Sequence, residues 1–186
     1  MPSRLSRRSA ARGTASAAAR ATARGLAIGL VLAAALAVAL LAAGRAGWLA
    51  GSPPPGLGLQ AGRLAAPSLT PNSISSQARW WPQHPRQEQA HIDPLPAPDG
   101  ARTWQQLGAW LDAAPGVRVL QREPHYLRVE FHTRWLGFVD DGEFWWDEAS
   151  GLIHVRSASR LGHDDLGTNR RRIEALRTVL DTAARD

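Results

Sequence analysis

From Gly25 to Gly44 the chain uses only Ala, Leu, Val, Ile and Gly, an uninterrupted run of 20 residues. At about 1.5 Å per residue such a run spans roughly 30 Å as a helix, the thickness of a bilayer's hydrocarbon core. The apolar region of a cleavable signal peptide is about 7 to 15 residues, so this longer run is expected to stay as an anchor. Arg7 and Arg8 are followed by Ser and Ala rather than by a hydrophobic export motif, and they belong to an ordinary basic leader.

Beyond the run the pattern changes. Ser52–Pro55 and the glycine-rich stretch to Gly62 predict a spacer over 45–66, stiff and then flexible. Residues 67–101 are proline-rich without periodicity, but Ile74, Trp80, Trp81 and Ile92 are too apolar for a free linker, so an extended arm lying on the domain is expected. The folded region, 102–186, opens on a capping box of Thr103 and Gln106. Leu107, Trp110, Leu111 and Ala114 then mark one helical face, and Pro115-Gly116 ends it.

Four strands follow at Val117–Glu123, Tyr126–Arg134, Phe138–Asp147 and Leu152–Arg160, joined by connections too short for a parallel crossover. A last helix starts near Thr168, with Ile173, Leu176 and Leu180 on one side. The expected fold is α+β, a four-stranded antiparallel meander with two helices on one face, preceded by the membrane helix.

Alternation sorts the strand residues. Leu127, Val129 and Phe131 point one way, and Arg128, Glu130, His132 and Arg134 the other. A last hairpin closing symmetrically about Glu148–Gly151 sets Phe144 opposite Val155, Trp146 opposite Ile153, Trp145 opposite His154 and Glu143 opposite Arg156. One face is then apolar and the other is left as a sheet of Arg, Glu, Asp and His. The apolar tip at Trp135, Leu136 and Phe138 is expected to fold back over the helices, because exposed to water it invites aggregation.

Composition changes the picture in two respects. There is no cysteine and no lysine, and all 22 basic residues are arginine. This removes disulfides, zinc-thiolate sites, cysteine nucleophiles and Schiff-base chemistry. The net charge of +6 belongs to the N-terminus: seven arginines precede Ala46, and no acid occurs before Glu88. Residues 46–186 hold 15 arginines and 16 acids, so no nucleic-acid partner is expected. Six arginines before the apolar run against Arg45 after it predict a cytoplasmic N-terminus (1–24), an anchor at 25–44, and a C-terminal domain outside the cytoplasm.

The run "YLRVEFHTRWLGFVDDGEFWWDEASGLIHVRSASRLGHDDLGTNRRRIEALR", with "PNSISSQA" upstream, resembles the bacterial and plastid family known as domain of unknown function 1499. The resemblance covers about Leu64 to Leu180. It implies functional weight for Asn72, Ser75 and Ser76, for Asp140, Asp141 and Glu143, for Arg156, Ser157, Ser159 and Arg160, and for Asp164, Gly167, Asn169 and Arg170. Family members usually carry cysteine where this chain has Ser73, and often another near Pro67. The resemblance carries no biochemical activity and implies no cofactor.

Within that set the acids Asp141 and Glu143 share a face and Asp140 takes the other, so a single-strand metal cluster is disfavoured and pairing with Arg156 and Arg160 is expected. Arg170, Arg171 and Arg172 stand in the first turn of the last helix, against its dipole, where Asp140, Asp164 or Asp165 are the expected partners. His163, Asp164 and Asp165 are expected to form the turn that starts that helix.

With Glu143 taken by Arg156, Arg160 is the arginine left to meet something outside the fold, at an anion- or carboxylate-binding cleft closed by Asn72, Ser75 and Ser76 and by the start of the last helix at Asn169 and Arg170. On that reading Arg160→Ala leaves the melting temperature almost unchanged. Serine-elbow, metalloprotease and phosphate-loop motifs are absent. Two function classes fit: an anchored, non-enzymatic envelope module binding a protein or a small anionic ligand, which the missing motifs favour, and an enzyme using His132 or His154 with Glu143 and the arginines.

Overall fold

The computed structural model describes residues 4–183. These divide into two units, one ending at Ala43 and one beginning at Gly44. The first unit is helix: α1 runs Arg4–Arg45, and its stretch Arg20–Arg45, with a mean hydropathy of 2.8, is long and apolar enough to cross a membrane.

In the second unit the element order is β1 (Ser73–Ser75), a 3-10 turn (Ala78–Trp80), α2 (Gln87–Ala90), β2 (Leu95–Pro96), α3 (Ala101–Ala113), β3 (Val117–Glu123), β4 (Tyr126–His132), β5 (Val139–Asp147), β6 (Leu152–Ser159) and α4 (Thr168–Ala183). The class is α+β with an antiparallel sheet. Strands β3 to β6 form the meander, and the last hairpin has the register expected of it, with Glu143 opposite Arg156 and Trp145 opposite His154.

The sheet is larger than four strands. β1 pairs antiparallel with β6 (Ser73 with Ala158, Ser75 with Arg156), and β2 pairs with the other end of β6, at Ile153 and Leu152. Two- and three-residue strands in a proline-rich stretch have no alternation to announce them. They form because the free edge of β6 offers backbone donors and acceptors, and the arm satisfies them.

One cluster holds the core. Leu127, Val129, Phe131, Phe144, Trp146, Ile153 and Val155 from the sheet meet Trp104, Leu107 and Leu111 of α3 and Ile173, Leu176 and Leu180 of α4. Gly142 belongs to this face for a steric reason: a Cβ there falls 2.4 Å from the Phe131 ring and 2.9 Å from Val129. The capping box does not form. Gly100, at φ 53°, is the N-cap of α3, and the Thr103 hydroxyl accepts from the Asp99 amide (3.4 Å) because Thr103 is buried one turn inside the helix. The tip also departs from expectation. Trp135 is 60% exposed with Arg134 stacked 4.9 Å over its ring, so it does not fold back over the helices.

Candidate functional site

The polar face of the sheet is not open to solvent. Asp141 and Glu143 are fully buried and Arg156 nearly so, under the segment that precedes β1. Gly58 N–H donates to Glu143 Oε1 (2.7 Å), and Arg156 Nε donates to the Ala66 carbonyl (3.0 Å). Gln77, itself fully buried, clamps this cover: its Oε1 accepts from Leu64 N–H (2.8 Å) and its Nε2 donates to the Gly62 carbonyl (3.1 Å). Residues 58–66, expected as spacer, thus supply partners for a buried charged layer.

That layer is a set of compensated charges, as burial requires. Glu143 Oε1 also accepts from Tyr126 O–H (2.8 Å), and Arg156 Nη1 reaches Oε2 at 3.5 Å. Burial, and then the Glu143 charge, push the Tyr126 hydroxyl well above its ordinary range, so it stays a donor. Burial likewise lowers the Arg156 value, against the pull of Glu143 and Asp141.

Arg160 grips both oxygens of Asp141 at 2.8 Å and reaches Glu130 Oε1 at 2.6 Å. Burial acts to raise the Glu130 value, but hydrogen bonds from Arg160 and His132 together hold it below the usual carboxylate range. Arg128 completes the group, 3.8 Å from Asp141.

Arg160 is therefore not the free arginine. The pairing of Asp141 and Glu143 with these two arginines is as expected; what was not foreseen is Glu130, which the β4–β5–β6 order carries to the same Arg160 side chain. Arg156 is the arginine with donors to spare: beyond one carbonyl and one long contact its guanidinium makes no hydrogen bond among the described residues.

Both arginines line a cleft of about 650 Å³ walled by Asn72, Ser159, Gly162 and the arm from Ala65 to Thr70. Asn72 holds the arm there. Its amide nitrogen donates to the Gly162 carbonyl (2.7 Å), its side-chain oxygen accepts from Ser68 (2.5 Å) and Thr70 (2.8 Å), and its carbonyl accepts from Ser159 N–H (3.0 Å). Ser73 hydrogen bonds to the Ser68 hydroxyl 2.8 Å away, so a pair of hydroxyls ties the arm where the resemblance leads one to expect cysteine.

The other expected residues sit elsewhere. Ser75 accepts from Gln77 N–H, away from the cleft. Asn169 is buried on the helix side, where it joins Ser157, Ser159, Arg172 and the Asn72 carbonyl, bracing the arm from behind. Arg170 donates to the carbonyls of Gln89 and His91, and Arg171 to that of Leu166. Of the three arginines, Arg172 alone meets an expected acid, Asp140, at 2.6 Å. Asp165 caps α4 through Asn169 N–H (2.7 Å), and Gly167, at φ 76°, makes the turn. No group of three acids or histidines placed to hold a metal ion occurs among the described residues.

The two histidines proposed for catalysis do not meet Glu143. His132 is exposed and bonds Glu130 (3.0 Å). His154 Nδ1 lies 3.2 Å from Ser76 Oγ, and its ring sits between Trp145 (5.1 Å) and Trp80 (5.0 Å). Val155 N–H donates to the same Ser76 oxygen (2.9 Å), so the hydroxyl links the His154 ring to the β6 backbone.

Burial lowers the His154 value, opposed by the Asp147 charge. In the window between the depressed native value and the unfolded value of about 6.5 the unfolded chain carries more protons, so stability is full above the window and lost as pH falls through it. The denaturation midpoint is expected to decline as pH falls below about 6.5. His154→Gln is expected to flatten that decline, and an equal slope in both proteins would show that His154 does not cause it.

The family described as "Protein of unknown function (DUF1499)" matches residues 63–180. The chain belongs to that family. The match begins at Arg63 and so takes in the clamp residue Gln77, the arm, the sheet and nearly all of α4. No curated protein and no solved structure matches the chain.

Proposed function

We propose that this DUF1499 protein is a membrane-anchored, non-enzymatic binding module of the bacterial envelope. Its N-terminus is cytoplasmic, its domain faces the periplasm, and its cleft beside Arg156 accepts a small anionic group. The arginine excess on the N-terminal side of the apolar run supports the orientation. The observation that carries the binding reading is the unequal partnering of the two cleft arginines. Arg160 is saturated by Asp141 and Glu130, whereas among the described residues Arg156 makes only one bond to the Ala66 carbonyl and a long 3.5 Å contact to Glu143. Planar guanidinium donors in a desolvated wall favour carboxylate or phosphate oxygens.

The test uses the full chain in detergent, titrated with inorganic phosphate at constant ionic strength. The melting temperature is expected to rise with phosphate concentration, because a ligand that binds only the folded state stabilises it by mass action. Leu69, 73% exposed at the cleft wall, provides the second arm: Leu69→Glu places a carboxylate at the rim without disturbing the fold, and is expected to abolish the rise. A phosphate response identical in wild type and Leu69→Glu would place binding elsewhere, and no response in either would refute the anion reading.

A further inference from the structure

The hairpin tip between β4 and β5 is an apolar feature of the domain that neither the core nor the cleft uses. Trp135 is 60% exposed and Arg134 lies over its ring. Its position is fixed by two glycines. A Cβ on Gly44 would fall 2.5 Å from the Leu136 carbonyl, and one on Gly137 would fall 2.7 Å from the Gly44 carbonyl. The tip backbone is therefore in contact with Gly44, the last residue of the apolar run.

The chain then continues along the same edge. Trp48 is 79% exposed, and Gly51 is packed against Arg160 and Leu161, a Cβ there meeting the Leu161 side chain at 2.9 Å. Leu161 is itself 43% exposed.

We infer that the β4–β5 tip is a second membrane contact, with Trp135 and Trp48 seated together in the interfacial layer of the bilayer. The inference rests on the membrane-anchored reading and adds to it a surface. The occupant follows from chain continuity: a residue whose backbone touches Gly44 sits at the level where the spanning run ends, and that level is the headgroup region. Indole rings are the side chains enriched there, being apolar with one polar edge. Arg134 and Arg45 place positive charge at the same level, where anionic headgroups attract it.

The absence of cysteine makes the test direct. Three single-cysteine variants of the full chain, Trp135→Cys, Trp48→Cys and Ala149→Cys, carry a nitroxide spin label in vesicles of phosphatidylcholine and phosphatidylglycerol. Ala149 lies in the β5–β6 turn, at the opposite end of the nine-residue β5. Collision rates with oxygen, which partitions into lipid, and with a water-soluble nickel chelate report depth. Positions 135 and 48 are expected to favour oxygen several-fold over position 149. A label at 135 as aqueous as that at 149, with 48 in the lipid interface, would overturn the second contact and leave the anchor standing. Aqueous labels at both 135 and 48 would overturn the anchored reading as well. Circular dichroism of Trp135→Ser, expected to match wild type, separates loss of lipid contact from loss of fold.

Discussion

Glu143→Ala is expected to destabilise the domain by about 3–5 kcal/mol, the usual cost of removing one partner from a buried ion pair. Glu143 is fully buried and accepts from three directions: Gly58 N–H at 2.7 Å, Tyr126 O–H at 2.8 Å and Arg156 at 3.5 Å. Alanine leaves a hydroxyl, an amide and a guanidinium without their acceptor in a layer that the cover segment keeps dry. Arg156→Ala removes the opposite charge and is also expected to destabilise. The double variant is expected to lose less than the sum, because the second deletion removes the charge that the first had orphaned. Urea denaturation with an unchanged m-value gives the three differences. Simple additivity would mean that Arg156 is balanced by the Ala66 carbonyl rather than by Glu143.

Arg160→Ala is expected to cost a similar amount, about 3–5 kcal/mol, and this reverses what the sequence suggests. Asp141 is fully buried and both of its oxygens are held by Arg160, with Arg128 no nearer than 3.8 Å. Removing the guanidinium strands that carboxylate and takes from Glu130 its shortest contact, 2.6 Å. Arg160→Lys keeps the charge, but one ammonium cannot make parallel bonds to Asp141 and also reach Glu130, so it is expected to recover only part of the loss. A melting temperature for Arg160→Ala equal to that of wild type would show that Arg128 or solvent satisfies Asp141.

These expectations rest on two different kinds of information. Local pattern determined the elements and the pairing of β3 to β6: alternation has a period of two, so it assigns faces, and short connections leave only antiparallel neighbours. Glu143 opposite Arg156 was legible for that reason, as was the separation of Asp140 from Asp141.

Pattern was silent wherever a segment takes its structure from a surface supplied by residues far along the chain. β1 and β2 are strands because the β6 edge needed partners, and Gly58 and Ala66 lie on the charged face because buried charges needed a backbone amide and a carbonyl. Arg160 seemed free because Glu143 was assigned to Arg156, whereas Asp141 on the adjacent β5 takes the Arg160 guanidinium by both oxygens and Glu130 on β4 lies within its further reach. The 20-residue apolar run and its arginine asymmetry by themselves determined that this chain carries a bilayer-length helix. Only the tertiary structure decided which side chains share a dry layer, since desolvation depends on what covers a residue and the covering segment here lies 85 residues away in the chain, as from Gly58 to Glu143.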